Sequence, residues 1–475
     1  RNNAPALAWH GARQSLILAR VAAGAPIDDA AAKALGVDWA LSFLANYPRS
    51  PLARRSVRGT IHYDAGCMPG ASGKAGYFLV VETQKGPGMR YSDSTLGELL
   101  KPIPRRWFDR VVDRHAGNAY DKSFGSWDHL VALIYAQLGG TSSLRGLEAA
   151  WNAHGHHHYH LGVGKLARST LADANGRRPL AIFSETFAML SGLAGRLVRR
   201  EGREMVRLID ATPIPLGKLV DWAKSNGRVT GLKLHVVHDP IADNPTDIAI
   251  TEANVNDIEV GRQVVGEPGC TYVFDKAYCR YDWWSALHKA GACFVTRRKT
   301  NSRYRRRRWR PVAERRGDGF TILSDAELEP VGKKTSKLTM LMRQVRLKRD
   351  NGETLTLITN DFKRTACQIA SLYRTRWQIE LLFRWIKQHL RIKTFLGRSP
   401  NAIRLQIVAA MIAYVLLRIA ARQSQLKIPA LRFAELVAGR LFSRTPIQSI
   451  DKPALCNPAA ARPRHSPDQM VFAFA

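Results

Sequence analysis

The chain has 475 residues, 45% of them hydrophobic, and Lys plus Arg outnumber Asp plus Glu 72 to 39, a formal net charge of +33. That size supports a substantial core shared among two to four domains, and the charge favours a polyanionic partner, because each neutralised phosphate releases condensed counterions. Six cysteines without a C-x-x-C pair exclude a disulfide framework or a zinc finger, and the longest apolar run, Ile407 to Leu417, falls short of the ~20 residues of a membrane span.

The first residue is Arg1, and residues 1–88 are rich in Ala, Gly and Pro with little periodicity. They are expected to be an unassigned extension outside the native protein, with Met89 opening the functional chain. Residues 89–203 carry helical patterns. Trp127 to Ala136 reads as an amphipathic helix, and Ser143 ahead of Leu144 and Leu147 as the N-cap of another. After a His-rich connection, Ala167 to Asn175 forms a second polar, basic helix, so the pair predicts a DNA-reading helix-turn-helix. The five histidines His154, His156, His157, His158 and His160 lack the spacing and companion ligands of tetrahedral zinc, and are expected in a solvated loop that touches phosphate.

Beyond Met205 the period changes to that of strands. Val206 to Ile209 ends in Asp210; Leu232, Leu234 and Val236 alternate with Lys233 and His235; Thr271 to Phe274 ends in Asp275. Trp283 to Ala290 predicts a helix and Cys293 to Thr296 a strand. Residues 297–310 then hold nine Lys or Arg, beginning with Arg297, Arg298 and Lys299, with Tyr304 and Trp309 among them. Such a run is commonly just solvated, but interleaved aromatics suit contact with a nucleic-acid backbone. Phe320 to Leu323, Met340 to Arg349 and Leu355 to Thr359 read as strands. An apolar helix from Ala402 to Arg422 is expected in the core, and 441–475 as a tail.

Between those last strands and the apolar helix lies the most specific pattern, Tyr373, Arg376, Glu380 and Lys387, spaced Y-x2-R-x3-E-x6-K. At about 100° per residue these four share one helix face, as a salt-bridged solvated face also would. Carboxylates at two strand ends, Asp210 and Asp275, completed by Glu380 from a helix, suit hard divalent cations, and two ions ~4 Å apart would promote in-line displacement at phosphorus. Taken singly, either aspartate reads equally well as a strand-end turn residue. The chain holds no P-loop and no G-x-S-x-G.

From about Tyr91 to Ile447 the chain resembles the bacterial insertion-sequence transposases of the DDE type, in the group with the Y-R-E-K signature (insertion-sequence family four). The segments that carry the resemblance are Leu208 to Thr212, Gly231 to His235, Val273 to Tyr278 with Phe294 to Arg297, and Leu357 to Asp361 leading into Tyr373 to Lys387; Ser143 to Arg145 and Ser169 to Leu171 match the amino-terminal part. The resemblance implies an α/β ribonuclease H-like catalytic core over 204–440, with a β-rich insertion at about 297–354, behind a helical DNA-binding domain at 89–203. It implies that Asp210, Asp275 and Glu380 hold two magnesium (or manganese) ions, while Tyr373, Arg376 and Lys387 grip the transposon end. The implied partners are double-stranded DNA, at the transposon ends and the target, and a second copy of the chain when DNA-bound; the implied location is the bacterial cytoplasm, at the nucleoid. The implied reaction nicks the DNA end with water, cuts the opposite strand through a hairpin and joins the freed 3′ end to target DNA. Some relatives place a tryptophan late in the insertion to hold a flipped base; here Leu355 to Leu357 fills that region, leaving Trp309 as the substitute. Two other readings share these residues: an inert end-binding relic or repressor, and a metal-dependent nuclease without strand transfer.

Overall fold

The structure is a computed structural model, and it describes residues 93–452 apart from 120, 122, 201–203, 218, 219, 301, 332–337, 339, 391 and 393. The extension expected at 1–88 and the part of the expected 441–475 tail beyond Lys452 lie outside the described residues; 441–452 is no loose tail, since Leu441, Phe442, Ile447 and Ile450 are buried in the core and the Leu96 N–H donates to the Leu441 carbonyl. The helices that open the described chain are α1 (Thr95–Leu100), α2 (Arg105–Arg114), α3 (Ser126–Leu138), α4 (Leu144–Asn152), α5 (His158–Leu161), α6 (Arg168–Arg177) and α7 (Leu180–Arg200). Their starts are set by local chemistry. Ser94 and Ser143 accept hydrogen bonds from the backbone N–H of Gly97 and Gly146, at 3.1 and 3.0 Å, satisfying donors that the first helical turn leaves open.

The expectation of an amphipathic α3 fails, because twelve of its thirteen residues are buried. α3 packs on a C-terminal helix as well as on its own neighbours, so both faces are covered. The connection from Asn152 to Arg168 is longer than the three or four residues of a helix-turn-helix turn, and Asn152 pins it by exchanging hydrogen bonds with Leu166. The His-rich stretch forms short helical turns rather than a loop and is solvated only in part. His156 and His160 are exposed, whereas His154 stacks on Phe442 with ring centroids 4.1 Å apart and the buried His158 stacks on Trp151 at 4.8 Å.

The strands are β1 (Val206–Pro215), β2 (Gly231–Asp239), β3 (Asn244–Glu252), β4 (Thr271–Phe274), β5 (Cys293–Arg297), β6 (Tyr304–Trp309), β7 (Arg316–Gly317), β8 (Phe320–Pro330), β9 (Met342–Arg349) and β10 (Thr354–Thr359). α8 (Asp257–Gly261) and α9 (Tyr281–Lys289) lie between β3 and β5, and α10 (Ala366–Thr375), α11 (Trp377–His389), α12 (Pro400–Ser424) and α13 (Ala430–Gly439) follow β10. All ten strands join one mixed sheet in the order β3-β2-β1-β4-β5-β10-β9-β8-β6, with β7 paired to β8. β1, β4 and β5 are parallel; on one side β2 runs antiparallel to β1 and β3 antiparallel to β2, and the antiparallel strands of 304–359 extend the other.

One hydrophobic core joins α3, α7 and α12 to one face of this sheet, so the helices before β1 are continuous with the catalytic region. α12 is long and apolar enough to cross a membrane by length and composition, but 89% of its most apolar stretch is buried inside the protein. The second core lies on the opposite face, where Phe274, Trp283, Trp284 and Phe294 pack under α9.

Candidate active site

The parallel pairing of β1 with β4 sets the site. Ile209 is in register with Phe274, so Asp210 and Asp275 follow side by side on adjacent strands, which lie about 4.8 Å apart in a sheet. Asp210 is not at a strand end as expected. β1 runs on to Pro215, but from Asp210 onward its ladder continues with β2 alone, because β4 stops at Phe274. The parting of the strands exposes one edge of β1 where the carboxylate stands.

Glu380 arrives from the helices packed on that face, and the four signature residues do not share one unbroken helix. α10 ends at Thr375 and α11 begins at Trp377; Arg376 joins them with a tightened turn, accepting from the N–H of Ile379 and donating its own to the Tyr373 carbonyl. At this joint the Arg376 guanidinium bridges the carboxylates. Nη2 donates to Glu380 Oε1 at 2.5 Å and Nη1 to Asp210 Oδ2 at 3.4 Å, while the group lies over the Tyr373 ring. Asp210 and Glu380, drawn from distant parts of the sequence, thus meet at one cation, and Asp275 stands beside Asp210 on the next strand.

The electrostatics bear this closeness out. Burial pushes the Asp210 carboxyl up to about 6, helped by the charges of Glu380 and Asp275 and opposed by the Ala211 N–H and by Arg376. Burial works against the charge of Arg376, yet its hydrogen bond to Glu380 and the neighbouring acids raise its pKa. Burial lifts the Tyr373 phenol to about 12. The donor set is all carboxylate oxygen, which suits magnesium or manganese. As they stand, no three His, Cys, Asp or Glu side chains among the described residues are gathered to hold one ion, and Arg376 occupies the space between two of the three. An ion bound there requires Glu380 to turn from Arg376.

The other expected contacts divide. Lys387 lies half-buried on α11, two turns beyond Glu380. Arg297 ends β5, pairs with Glu353 at 3.3 Å and is near enough to Tyr373 to act on its phenol. Arg298 is turned inward, donating to Gln344 and to the Ser302 carbonyl, and Lys299 is half-buried beside Cys279. Trp309 stands on β6, five strands from β4, and cannot serve the site.

Two residues beside the carboxylates were not singled out from sequence. Trp377, 50% exposed, follows Arg376 and lines an apolar cavity of about 460 Å³ with Phe320, Leu347, Leu355, Tyr373 and Arg376. Tyr278 has a buried hydroxyl with no hydrogen-bond partner among the described residues. Its phenol is raised far above the ordinary range by burial first, then by Asp210, Asp257 and Asp275. Its place three residues after Asp275 was the available signal.

Residues 201–416 match the family described as the transposase DDE domain, and residues 92–164 match a domain of unknown function (DUF4372). A putative transposase of Sinorhizobium fredii is 56% identical over 304 residues, covering 64% of this chain and 85% of that protein. A probable insertion-sequence transposase of Geobacillus stearothermophilus is 30% identical over 260 residues, 54% of this chain and 68% of that one. Among solved structures, the synaptic complex of piggyBac transposase with hairpin DNA aligns over 78% of this chain and 85% of that one, but a TM-score of 0.35 at 11% identity carries no argument. The chain belongs to the insertion-sequence transposases with a DDE domain, enzymes that act on DNA.

Proposed function

We propose that this transposase binds the terminal inverted repeats of its element and performs metal-dependent strand cleavage and strand transfer, as a member of the Y-R-E-K group. The observation that carries the reading is the joining of Asp210 and Glu380 through Arg376, with Asp275 beside Asp210 on the adjacent strand. The strand order β3-β2-β1-β4-β5, antiparallel then parallel, supports a ribonuclease H-like core, with β6 to β9 as its β-rich insertion. Membership in the DDE family implies dependence on a divalent metal.

In this reading the three carboxylates hold two magnesium ions. Such ions supply Lewis-acid polarisation of the phosphodiester and a more acidic water. Arg376, released from Glu380, turns its fork to a DNA phosphate, and Lys387 adds a point charge along α11. Tyr373 fixes the guanidinium plane beneath that phosphate. The cavity floored by Leu347 and Leu355 and walled by Trp377 would take a base displaced from the duplex, with Trp377 in the place left open by Trp309. DNA is the partner, and a homodimer on paired ends is the assembly that strand transfer of both ends requires.

The test incubates the protein with DNA carrying the element's own ends, magnesium and a target plasmid. Glu380→Gln is expected to abolish cutting while end binding persists; cutting at the wild-type rate would remove Glu380 from the metal site. Lys387→Ala is expected to weaken end binding and to reduce its salt slope by about 0.9, the loss of one phosphate contact.

A further inference from the structure

The basic run of 297–310 is only partly absorbed by the active site. Its second half forms strand β6, the outermost strand of the sheet, whose sequence Tyr304-Arg305-Arg306-Arg307-Arg308-Trp309 has no apolar alternation. An edge strand leaves one side of its backbone unpaired and is commonly guarded by a charge or two. Four consecutive arginines with an exposed tryptophan beside them go well beyond a guard. Arg305, Arg307 and Arg308 are 74, 54 and 68% exposed, and Trp309 is 57% exposed.

The strand keeps a surplus of positive charge. Glu329 serves both Arg305 and Arg307, at 2.6 and 3.8 Å, and Glu327 serves both Arg308 and Arg310, at 2.8 and 3.1 Å. Arg306 lies over the Trp309 indole, 4.4 Å from its centroid. Arg310 also lies 3.7 Å from Asp325, which Arg343 already holds, so five arginines face two glutamates and a share of one aspartate. The extra residue of a bulge between Arg306 and Arg308 turns side chains out to both faces of the edge.

We propose that β6 is a second DNA-backbone-binding surface, remote from the carboxylates, which holds duplex flanking the reacting phosphate. A second copy pairing edge to edge would set arginine against arginine, so charge selects a polyanion instead. The indole and the guanidinium on it offer a flat cationic face to a sugar or an unstacked base. Five strand steps separate β6 from β4. At about 4.8 Å each they place the surface about 24 Å from Asp275, ~7 base pairs along a duplex. The proposal rests on the reading of DNA as partner, and adds a contact that the site itself does not contain.

Binding of a fluorescein-labelled random-sequence duplex to the full chain, followed by anisotropy across a KCl series, tests it. Arg306→Gln combined with Trp309→Leu frees no glutamate; it is expected to weaken binding and lower the slope of log K against log salt by about 0.9. Glu329→Gln releases Arg305 and Arg307 and is expected to tighten binding several-fold, a gain that a merely structural strand would not give. Glu435→Gln on α13 makes the same charge change far from β6 and controls for net charge. Variants that bind with wild-type affinity and slope, or a Glu435→Gln gain equal to that of Glu329→Gln, overturn the proposal alone. A wild-type protein that binds no duplex overturns the DNA reading with it. Loss of a dimer by sedimentation in the Arg306→Gln variant, with DNA binding unchanged, gives the edge to a second copy and also overturns it.

Discussion

Charge is used in opposite ways between β1 and β4, inside the sheet, and at its β6 edge. Where β1 and β4 part, Asp210 is 21% exposed, opposed by two other acids and held by one arginine that it shares with Glu380. On the β6–β8 edge the arginines stand in solvent, and the glutamates they share lie closer to the sheet, Glu329 29% and Glu327 5% exposed. The first arrangement is costly to maintain, since burial and like charge both disfavour the ionised form of Asp210. The second costs little at the exposed arginines, whose charges water screens and whose lost contacts it replaces. A cluster that destabilises its own charged form is a sign of function; an exposed pair by itself is not. Between these two places lies a third case. Arg343 and Asp325, 1 and 2% exposed, form a two-point pair between β9 and β8 with bonds of 3.0 and 2.7 Å.

The largest effect is expected at the first cluster. Asp210→Asn should reduce end cleavage by a thousandfold or more, about 4 kcal/mol of transition-state stabilisation. The same change should raise the melting temperature at pH 8. The folded-state pKa of Asp210 is raised to about 6, so this group's favourable term is fully present only below its unfolded value and is lost as pH rises through about 6. The gain from asparagine should accordingly shrink as pH falls from 7 toward 4. Thermal melts across that window, read beside cleavage, decide it; a variant less stable than wild type at pH 8 would mean that Asp210 is held for structure.

The middle case should respond in stability alone. Arg343→Met takes from Asp325 its two-point partner, leaving only the 3.7 Å contact with Arg310, and frees the Asp361 and Arg364 carbonyls that Arg343 also holds. Breaking such a buried pair typically costs about 3–5 kcal/mol. Denaturant unfolding measures it. Because those carbonyls lie just ahead of α10, the loss should reach the helix that carries Tyr373, and a cost below about 1 kcal/mol would show the insertion to be energetically separate from the core.

Much of this was legible in the sequence, for reasons that particular residues make plain. Leu232, Leu234 and Val236 are buried on one face and Lys233 is half-buried on the other, so period-two alternation located β2, although His235, read as alternating with them, is buried too and bonds Thr251. Ser143 marked a helix start because a hydroxyl there answers an open N–H. The spacing of the signature brought Glu380 to Asp210, although Arg376 breaks the helix between its parts. What stayed hidden depends on tertiary cover. α3 looked amphipathic because its Asp128 and His129 are polar, yet Asp128 serves the N–H groups of Gly125 and Gly164, and His129 bonds Asn175. His154 and His158 looked solvated because their sequence does not reveal Phe442 and Trp151 beneath them. β6 has no apolar period to read; it is a strand because β8 offers Glu327 and Glu329 across the ladder.

The smallest effect is expected at that edge, and it sharpens the contrast most. Arg305 is 74% exposed and bonds Glu329 at 2.6 Å, a geometry that looks as favourable as that of Arg343. Its environment is what differs, since water replaces the lost partner on both sides when the pair is broken. Arg305→Gln should therefore change unfolding free energy by no more than about 0.5 kcal/mol, with the residual effect vanishing in high salt. DNA affinity should nonetheless fall, because the side chain contributes to the surface potential whether or not it stabilises the fold. If denaturant unfolding instead showed a loss near that of Arg343→Met, exposure would not be the variable that separates the edge of the sheet from its interior, and the arginines of β6 would have to be read as part of its framework.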